Sequence, residues 1–404
     1  MRKRSRRGLL VALIAVIAVV IWVAVSSATP DSSQPDVLEG TVCAVLSDDG
    51  TFTFLRTDDS LPGNGSQGTV TSVSGGEFAG RIYSAVDAGR GEVPLEDYSG
   101  VQALPWAPYS PGDAASGVTR VAFKDTIRPK STAQWFAGCE NLVSVDLSGL
   151  DTSSATNMQQ MFAGCSSLTS LTGLDGLDTS DMGGFAYMFE GCSSLRSLDV
   201  SWLETGSAID MTSMFKDCAN LGSLTGMDGW DTSDALTFAG MFEGCSSLTS
   251  LDVSGLDTAQ AKSVASMFAG CSGLTRIVGL DRLDTGRVLD FAHTFSHCGS
   301  LESLDSIGDW DTSKASDMAG MFEGDRALSE IALGPKFSFS GEGIDDTDSK
   351  ALLPTPDTGD GTYTGRWVKS DDPSSARTAE ELRDDYDADA SALTGTWVWE
   401  RKPE

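Results

Sequence analysis

Thiols, imidazoles and carboxylates recur through this chain at spacings that could do chemistry. Seven cysteines (Cys139, Cys165, Cys192, Cys218, Cys245, Cys271 and Cys298) stand alternately 26 and 27 residues apart. Thiols so arrayed could pair, hold a metal or act as nucleophiles. His293 and His297 are the only histidines, placed at i and i+4, a spacing that on a helix suits zinc. The H-E-x-x-H arrangement of a zinc peptidase fails, because Thr294 occupies the glutamate position. Aspartates open an Asp-Thr-Ser triplet at Asp151, Asp178, Asp231 and Asp311. Carboxylates in a dedicated loop can gather the oxygens that Ca²⁺ requires.

The spacing gives each group a structural reading. In a stack of helices, equivalent atoms repeat at about 10 Å, whereas a disulfide needs Cα atoms within about 7 Å. The cysteine column is therefore read as buried reduced thiols acting as small hydrophobes. Asp325 stands where the next cysteine is due, which suggests a capping unit that meets solvent. Cys43 lies outside the column and has no evident partner. The histidine slots are filled elsewhere by Gln160, Tyr187 and Ser213, or by Gly164, Gly191 and Asp217, so they point to solvent rather than to a metal. The aspartates read as helix N-caps. No residue is assigned a catalytic role, because both histidines fall on one exposed face far from any nucleophile. No cofactor or metal is expected.

The elements that carry these residues form a repeat. Met161-Phe162-Ala-Gly-Cys165 returns as Met188-Phe189-Glu-Gly-Cys192, Met241-Phe242-Glu-Gly-Cys245 and Met267-Phe268-Ala-Gly-Cys271. Met158, Met161, Phe162 and Cys165 sit at i, i+3, i+4 and i+7, the apolar face of a short helix. Leu248, Leu251 and Val253 follow in the L-x-x-L-x-L order of a short strand. A helix-plus-strand unit this small cannot bury its own face, so tandem copies must stack into an α/β solenoid. From Cys139 to Cys192, Cys192 to Cys245 and Cys245 to Cys298 the interval is constant, 53 residues. The repeat is thus a block of two units. The longer one has an extra residue after its strand, as in Leu171-Thr-Gly-Leu174.

The run from Trp230-Asp-Thr-Ser through Met241-Phe-Glu-Gly-Cys245-Ser-Ser-Leu248-Thr-Ser-Leu251-Asp-Val-Ser resembles the BspA-type leucine-rich repeat of bacterial surface proteins, and equally the mycoplasma-lipoprotein-type repeat. The resemblance covers residues 132–337. Pro105-Trp106 and Val118–Lys130 resemble the lead-in to such repeats. It implies a surface-exposed adhesion or binding role and transfers no catalytic residue.

Composition fits an exported scaffold. The formal net charge is −30, and so acidic a surface repels nucleic acid and anionic lipid. Basic residues to Arg7 precede the apolar run Leu9–Val25, and Ser26-Ser27-Ala28 offers a cleavage site. Residues 1–28 are read as a signal peptide cleaved after Ala28 or as a retained anchor crossing the membrane through residues 9–25. The rest then lies outside the cell, either secreted or held as a single-pass protein. Residues 29–40 form a linker, 41–131 a β-rich capping module with a hairpin at Thr41–Leu46 and Thr51–Arg56, and 132–337 the solenoid. A linker at 338–362 leads to an aromatic α+β module at 363–404.

Two surfaces are candidates for contact. In L-x-x-L-x-L the x positions face outward and make a small, hydroxylated, acidic strip. Arg196, Arg276 and Trp202 break that pattern and are the candidate ligand-binding residues, directed at host or neighbouring-cell proteins or matrix. Trp202 fills a slot otherwise held by residues such as Gly149 and Gly255, whereas Trp230 and Trp310 fill leucine slots and read as core. In the tail, Tyr363, Trp367, Trp397 and Trp399 could stack on cell-wall glycan or build the module's core. The expected function is a non-catalytic adhesion or interaction scaffold. The alternatives are a structural spacer and a wall-binding protein acting through the C-terminal aromatics.

Overall fold

The computed structural model describes residues 41–61, 66–84, 115–341 and 349–403. The predicted signal or anchor, the linker at 29–40 and Pro105-Trp106 lie outside the described residues. Among the described residues no helix is long and apolar enough to cross a membrane. The described residues divide into two compact units, those up to 188 with 207–210, and 189–206 with those from 211 onward.

In the first unit the strands are β1 (Thr41–Leu46), β2 (Thr51–Thr57), β3 (Ser66–Thr71), β4 (Glu77–Ser84), β5 (Arg120–Phe123), β6 (Ser144–Asp146) and β7 (Ser170–Thr172). They form one sheet in the order β3-β4-β1-β2-β5-β6-β7. The β1–β2 hairpin closes over Asp48-Asp49-Gly50, with Gly50 at φ 81°. From β2 onward the pairing is parallel: Phe52 faces Val121, and Val121 faces Val145. The sheet that starts in the hairpin module therefore runs into the first repeats. Cys43 packs among Val45, Leu55, Val70 and Ile82, which explains an unpaired thiol there; burial pushes its pKa up to about 12.

In the second unit β8 (Ser197–Asp199) pairs with β9 (Ser223–Thr225), and β10 (Ser250–Asp252) with β11 (Arg276–Val278), as separate parallel pairs. Strand pairing thus follows the 53-residue block. β12 (Ser303–Leu304) pairs with β13 (Glu330–Leu333), and β13 continues antiparallel into β16 (Gly395–Arg401), β14 (Tyr363–Lys369) and β15 (Asp372–Arg377). Helix α1 (Ala379–Ala388) packs near this sheet. It opens on the predicted capping box: Thr378 Oγ1 accepts from Glu381 N, and Glu381 Oε2 accepts from Thr378 N.

The expected short helix in each repeat is absent, and the reason lies in the backbone hydrogen bonds. Met241, Glu243 and Cys245 donate to the carbonyls three residues back, at Phe238, Gly240 and Phe242. The intervening Gly240, Phe242 and Gly244 donate instead to Ala265, Met267 and Ala269 of the next coil. A helix would keep all of these bonds inside one segment. Here alternate donors leave it, so each coil is a run of turns laddered to its neighbour. Two residues four apart take left-handed φ to permit this: Gln160 and Gly164, Ser213 and Asp217, Gly240 and Gly244, His293 and His297. The apolar i, i+3, i+4, i+7 pattern still points inward, so its period was right and the element was wrong.

The interior is regular. The rings of Phe189, Phe215, Phe242, Phe268, Phe295 and Phe322 stack in sequence with centroids 5.6–6.0 Å apart and interplanar angles of 3–12°. Each such pair adds about 0.5–1.5 kcal/mol beyond area burial. A second column is polar. Thr205, Thr232, Thr258 and Thr312 are buried, and each Oγ1 donates to a carbonyl of the following coil, at Asp231, Asp257, Asp284 and Ser338. The second residue of the Asp-Thr-Ser triplet is thus a core hydrogen bond rather than a cap. The aspartates are Asx turns, not helix N-caps: Asp231 Oδ1 accepts from both Ser233 N and Ser233 Oγ.

The left-handed slots explain a substitution effect. His297 holds φ 62°, a conformation that costs an L-residue roughly 1–2 kcal/mol and glycine little. Gly also loses more entropy on folding. His297→Gly should therefore raise stability by about 0.5–1 kcal/mol, read as a higher denaturant midpoint at unchanged slope.

Candidate functional site

All eight cysteines are buried and none is in a disulfide, and the structure gives the column a role that the spacing did not. The thiols of Cys218, Cys245, Cys271 and Cys298 donate to the carbonyls of Phe189, Phe215, Phe242 and Phe268 one coil back, each at 3.1 Å. They satisfy backbone acceptors in the core. Burial drives the thiol pKa up, to about 12 at Cys218 and Cys271, so no thiolate forms near neutrality.

Asp325 corrects an expectation. It takes the next place in the column but is fully buried rather than solvent-facing. Its Oδ1 accepts from Cys298 N at 2.8 Å, while Oδ2 is buried without a partner. Desolvation raises its pKa from 3.8 to about 8, so it is kept as the neutral acid. A carboxyl group fits a cysteine-sized gap only by giving up its charge.

His293 and His297 do not lie on one helix. They occupy the two left-handed slots of their coil, both exposed. His297 Nδ1 lies 2.7 Å from Ser296 Oγ, and His293 Nδ1 lies 3.7 Å from Glu323 Oε2. The rings lie over the next coil at Gly320 and Gly324, where an added Cβ would come within 2.5 Å of His293 Cε1 and 3.0 Å of His297 Cδ2. The glycine below makes room for the larger side chain above. Among the described residues no three His, Cys, Asp or Glu side chains are grouped to hold a metal.

The outward strip of the second unit runs along β8 to β11. Ser197, Asp199, Ser223, Thr225, Ser250 and Asp252 are exposed along it. Asp199 and Asp252 accept from the backbone N–H of Ser201 and Ser254; hydrogen bonds from these serines, backbone foremost at Asp199 and side chain foremost at Asp252, hold both carboxyls below the ordinary range. The strip therefore stays ionised. Arg196 and Arg276 are exposed and Trp202 is half-buried. The Trp202 indole N–H donates to the Asp199 backbone carbonyl at 3.0 Å, which ties the ring to the end of β8. Arg196 and Trp202 share a coil. Arg276 stands three coils further on, about 14 Å away at a strand spacing of about 4.8 Å. The three candidates mark a footprint along the strip, not a pocket. Trp230 and Trp310 are buried, donating to Val200 and Leu280 carbonyls at 3.2 and 2.8 Å.

In the C-terminal sheet the predicted aromatics separate. Trp367 and Trp397 are fully buried, donating to Pro354 and Leu393 carbonyls, so neither ring offers a face to a glycan. Tyr363 and Trp399 remain half-buried, edge to face at 5.1 Å, with Arg401 over the Tyr363 ring. The linker expected at 338–362 contributes core through Phe339, Ala351 and Leu353. A cleft of about 350 Å³ that the sequence reading missed is lined by Asp281, Asp305, Asp309, Thr394 and Thr396. It brings the tail against the last repeats, a juxtaposition of residues some ninety positions apart that no local pattern signals.

A search of curated proteins gives no match. Among solved structures, a leucine-rich repeat protein from Eubacterium ventriosum is 14% identical and aligns over 78% of this chain and 91% of its own, with a TM-score of 0.30. The model of a family described as "Mycoplasma protein of unknown function, DUF285" matches residues 130–227, 199–279 and 275–332, half of the chain together. The matched residues are those that carry the Phe, Cys and Thr columns, and this chain belongs to that family of BspA-type leucine-rich repeat proteins.

Proposed function

We propose that the chain is an exported, non-catalytic interaction scaffold of the bacterial surface, and that it adheres to a protein or matrix partner through the strand strip. The supporting observation is the division of labour in each coil. Met, Phe, Cys, Leu and Thr are consumed by the core, and what remains on the strands is a repeated row of short hydroxyls and ionised carboxylates. Such a row suits an extended partner with repeated basic or hydrogen-bonding groups. Arg196, Trp202 and Arg276 supply the departures from uniformity that specificity needs. The basic N-terminus, the apolar run Leu9–Val25 and the small residues to Ala28 support export, with the segment either cleaved or kept as an anchor.

The test is adhesion of the purified chain to host cells and immobilised matrix. The variant R196A/W202A/R276A should lose at least tenfold in affinity with its melting temperature unchanged, since two of the side chains are exposed and the third is half-buried. Unchanged binding would remove the strip from consideration and leave a spacer. Wall binding through the tail is a weaker reading, because only Tyr363 and Trp399 keep accessible ring surface.

A further inference from the structure

Among the described residues, a departure from the protein's acidic character lies away from the strand strip, on the column of parallel bridges Ser263–Asp290–Asp317. That register aligns Arg287 with Lys314, each three residues before a bridged residue, and sets Lys262 one residue before Ser263. Three cations thus gather on three consecutive coils of a chain whose net charge is −30. In earlier coils the slot of Arg287 and Lys314 holds Ser207, Asp234 and Gln260.

None of the three forms an ion pair among the described residues. Lys314 Nζ donates to the Gly286 carbonyl at 2.8 Å, and Arg287 Nη1 donates to Gln260 Oε1. The neighbouring carboxylates are committed to their own turns. Asp257, Asp284, Asp290, Asp311 and Asp317 each accept from a backbone N–H two residues on. Burial lowers the Lys262 pKa, and the charges of Arg287 and Lys314 lower it further. Like charges on adjacent coils repel, and an anion bound between them relieves that repulsion.

We propose that Lys262, Arg287 and Lys314 form a binding site for a compact oxyanion, a phosphate or sulfate monoester carried on a small molecule or on the end of a glycan. The size follows from the surroundings. At physiological ionic strength the Debye length is about 8 Å, so the acidic surface beyond the patch is screened. A long polyanion would run off the patch onto that surface and be repelled. The Arg287 fork and the two ammonium groups match the tetrahedral acceptor geometry of such esters.

The test is ligand-observed NMR titration of the full chain with glucose 6-phosphate and, separately, glucose 6-sulfate, at about 0.1 M salt. At least one should bind, and whichever does identifies the source. K262A/R287A/K314A should weaken binding at least tenfold, while K262R/R287K/K314R retains most of it. Lys216→Ala should leave it unchanged, since Lys216 is already paired with Glu243 at 3.0 Å. Failure of both probes to bind, or equal binding by the triple-alanine variant, would overturn the site. Thermal melts of each variant separate lost binding from lost folding.

Discussion

Asp325→Cys is expected to stabilise the protein, and by an amount that grows with pH. The substitution restores the residue type of the column. Its thiol would donate to the Phe295 carbonyl, as Cys298 donates to Phe268. It also removes a buried, unpartnered carboxyl oxygen, whose burial costs about 1–3 kcal/mol. The pH dependence follows from the raised pKa. The unfolded chain releases the Asp325 proton near 3.8 and the folded chain near 8. Below pH 4 both states are protonated and the carboxyl imposes no pH-linked cost. Between about 4 and 8 the unfolded state is ionised and the folded state is not, so folding takes up a proton and stability falls as pH rises. The slope is about 1.4 kcal/mol per pH unit at most. Asp290, raised to about 6 chiefly by burial, adds to the same trend at the lower end. Denaturant titrations of wild type and Asp325→Cys at pH 5 and pH 7 should show the gap widen by roughly 2–3 kcal/mol. A gap independent of pH would mean that Asp325 is ionised in the folded protein, and would sink the assignment.

Gly226→Ala should cost about 3 kcal/mol or more, while Gly229→Ala, three residues on, should change stability by less than about 0.5 kcal/mol. Gly226 is the extra residue of the longer unit. It holds φ 91°, and a Cβ there would come within 2.4 Å of the Ser201 backbone nitrogen in the preceding coil. Left-handed strain costs roughly 1–2 kcal/mol, and forcing two coils apart adds a further 1–3 kcal/mol. The Gly229 Cβ position has nothing within 4 Å. The two alanines differ in backbone conformation and in what the added Cβ meets, so their difference measures left-handed strain and coil-to-coil approach together. Gly173 and Gly279 repeat this geometry, at φ 75° and 90° with backbone atoms 2.4 and 2.5 Å away. That recurrence is why the extra residue is glycine in these three units, whereas Ser306 takes the slot in the unit after Cys298. Equal melting temperatures for the two variants would show that the coils tolerate separation.

Much of the core was legible because a repeat states its own alignment. Met241, Phe242 and Cys245 recur in register, and all three are fully buried. Trp230 was recognised as core by the leucines that share its slot. The turn segment was misread as helix because its inward positions keep a helical period; the left-handed residues that break the helix, such as Ser213 and His293, carry no signal of that conformation in their chemistry. Arg196 and Arg276 were found by departure from pattern. Lys262, Arg287 and Lys314 were not, because Lys262 is offset from the other two and only the bridge register brings them together.

The sequence by itself determined the period, the identity of the buried columns and the two-unit block, because each depends on residue type recurring at a fixed interval. Only the tertiary structure decided where the backbone donors go, that Asp325 lies inside rather than at a wet end, and that Trp367 and Trp397 are enclosed while Tyr363 is not. Those outcomes rest on contacts between coils or across distant strands. A hydrogen bond or a desolvation cost belongs to the pair of neighbours that creates it, and the linear order names only one of them.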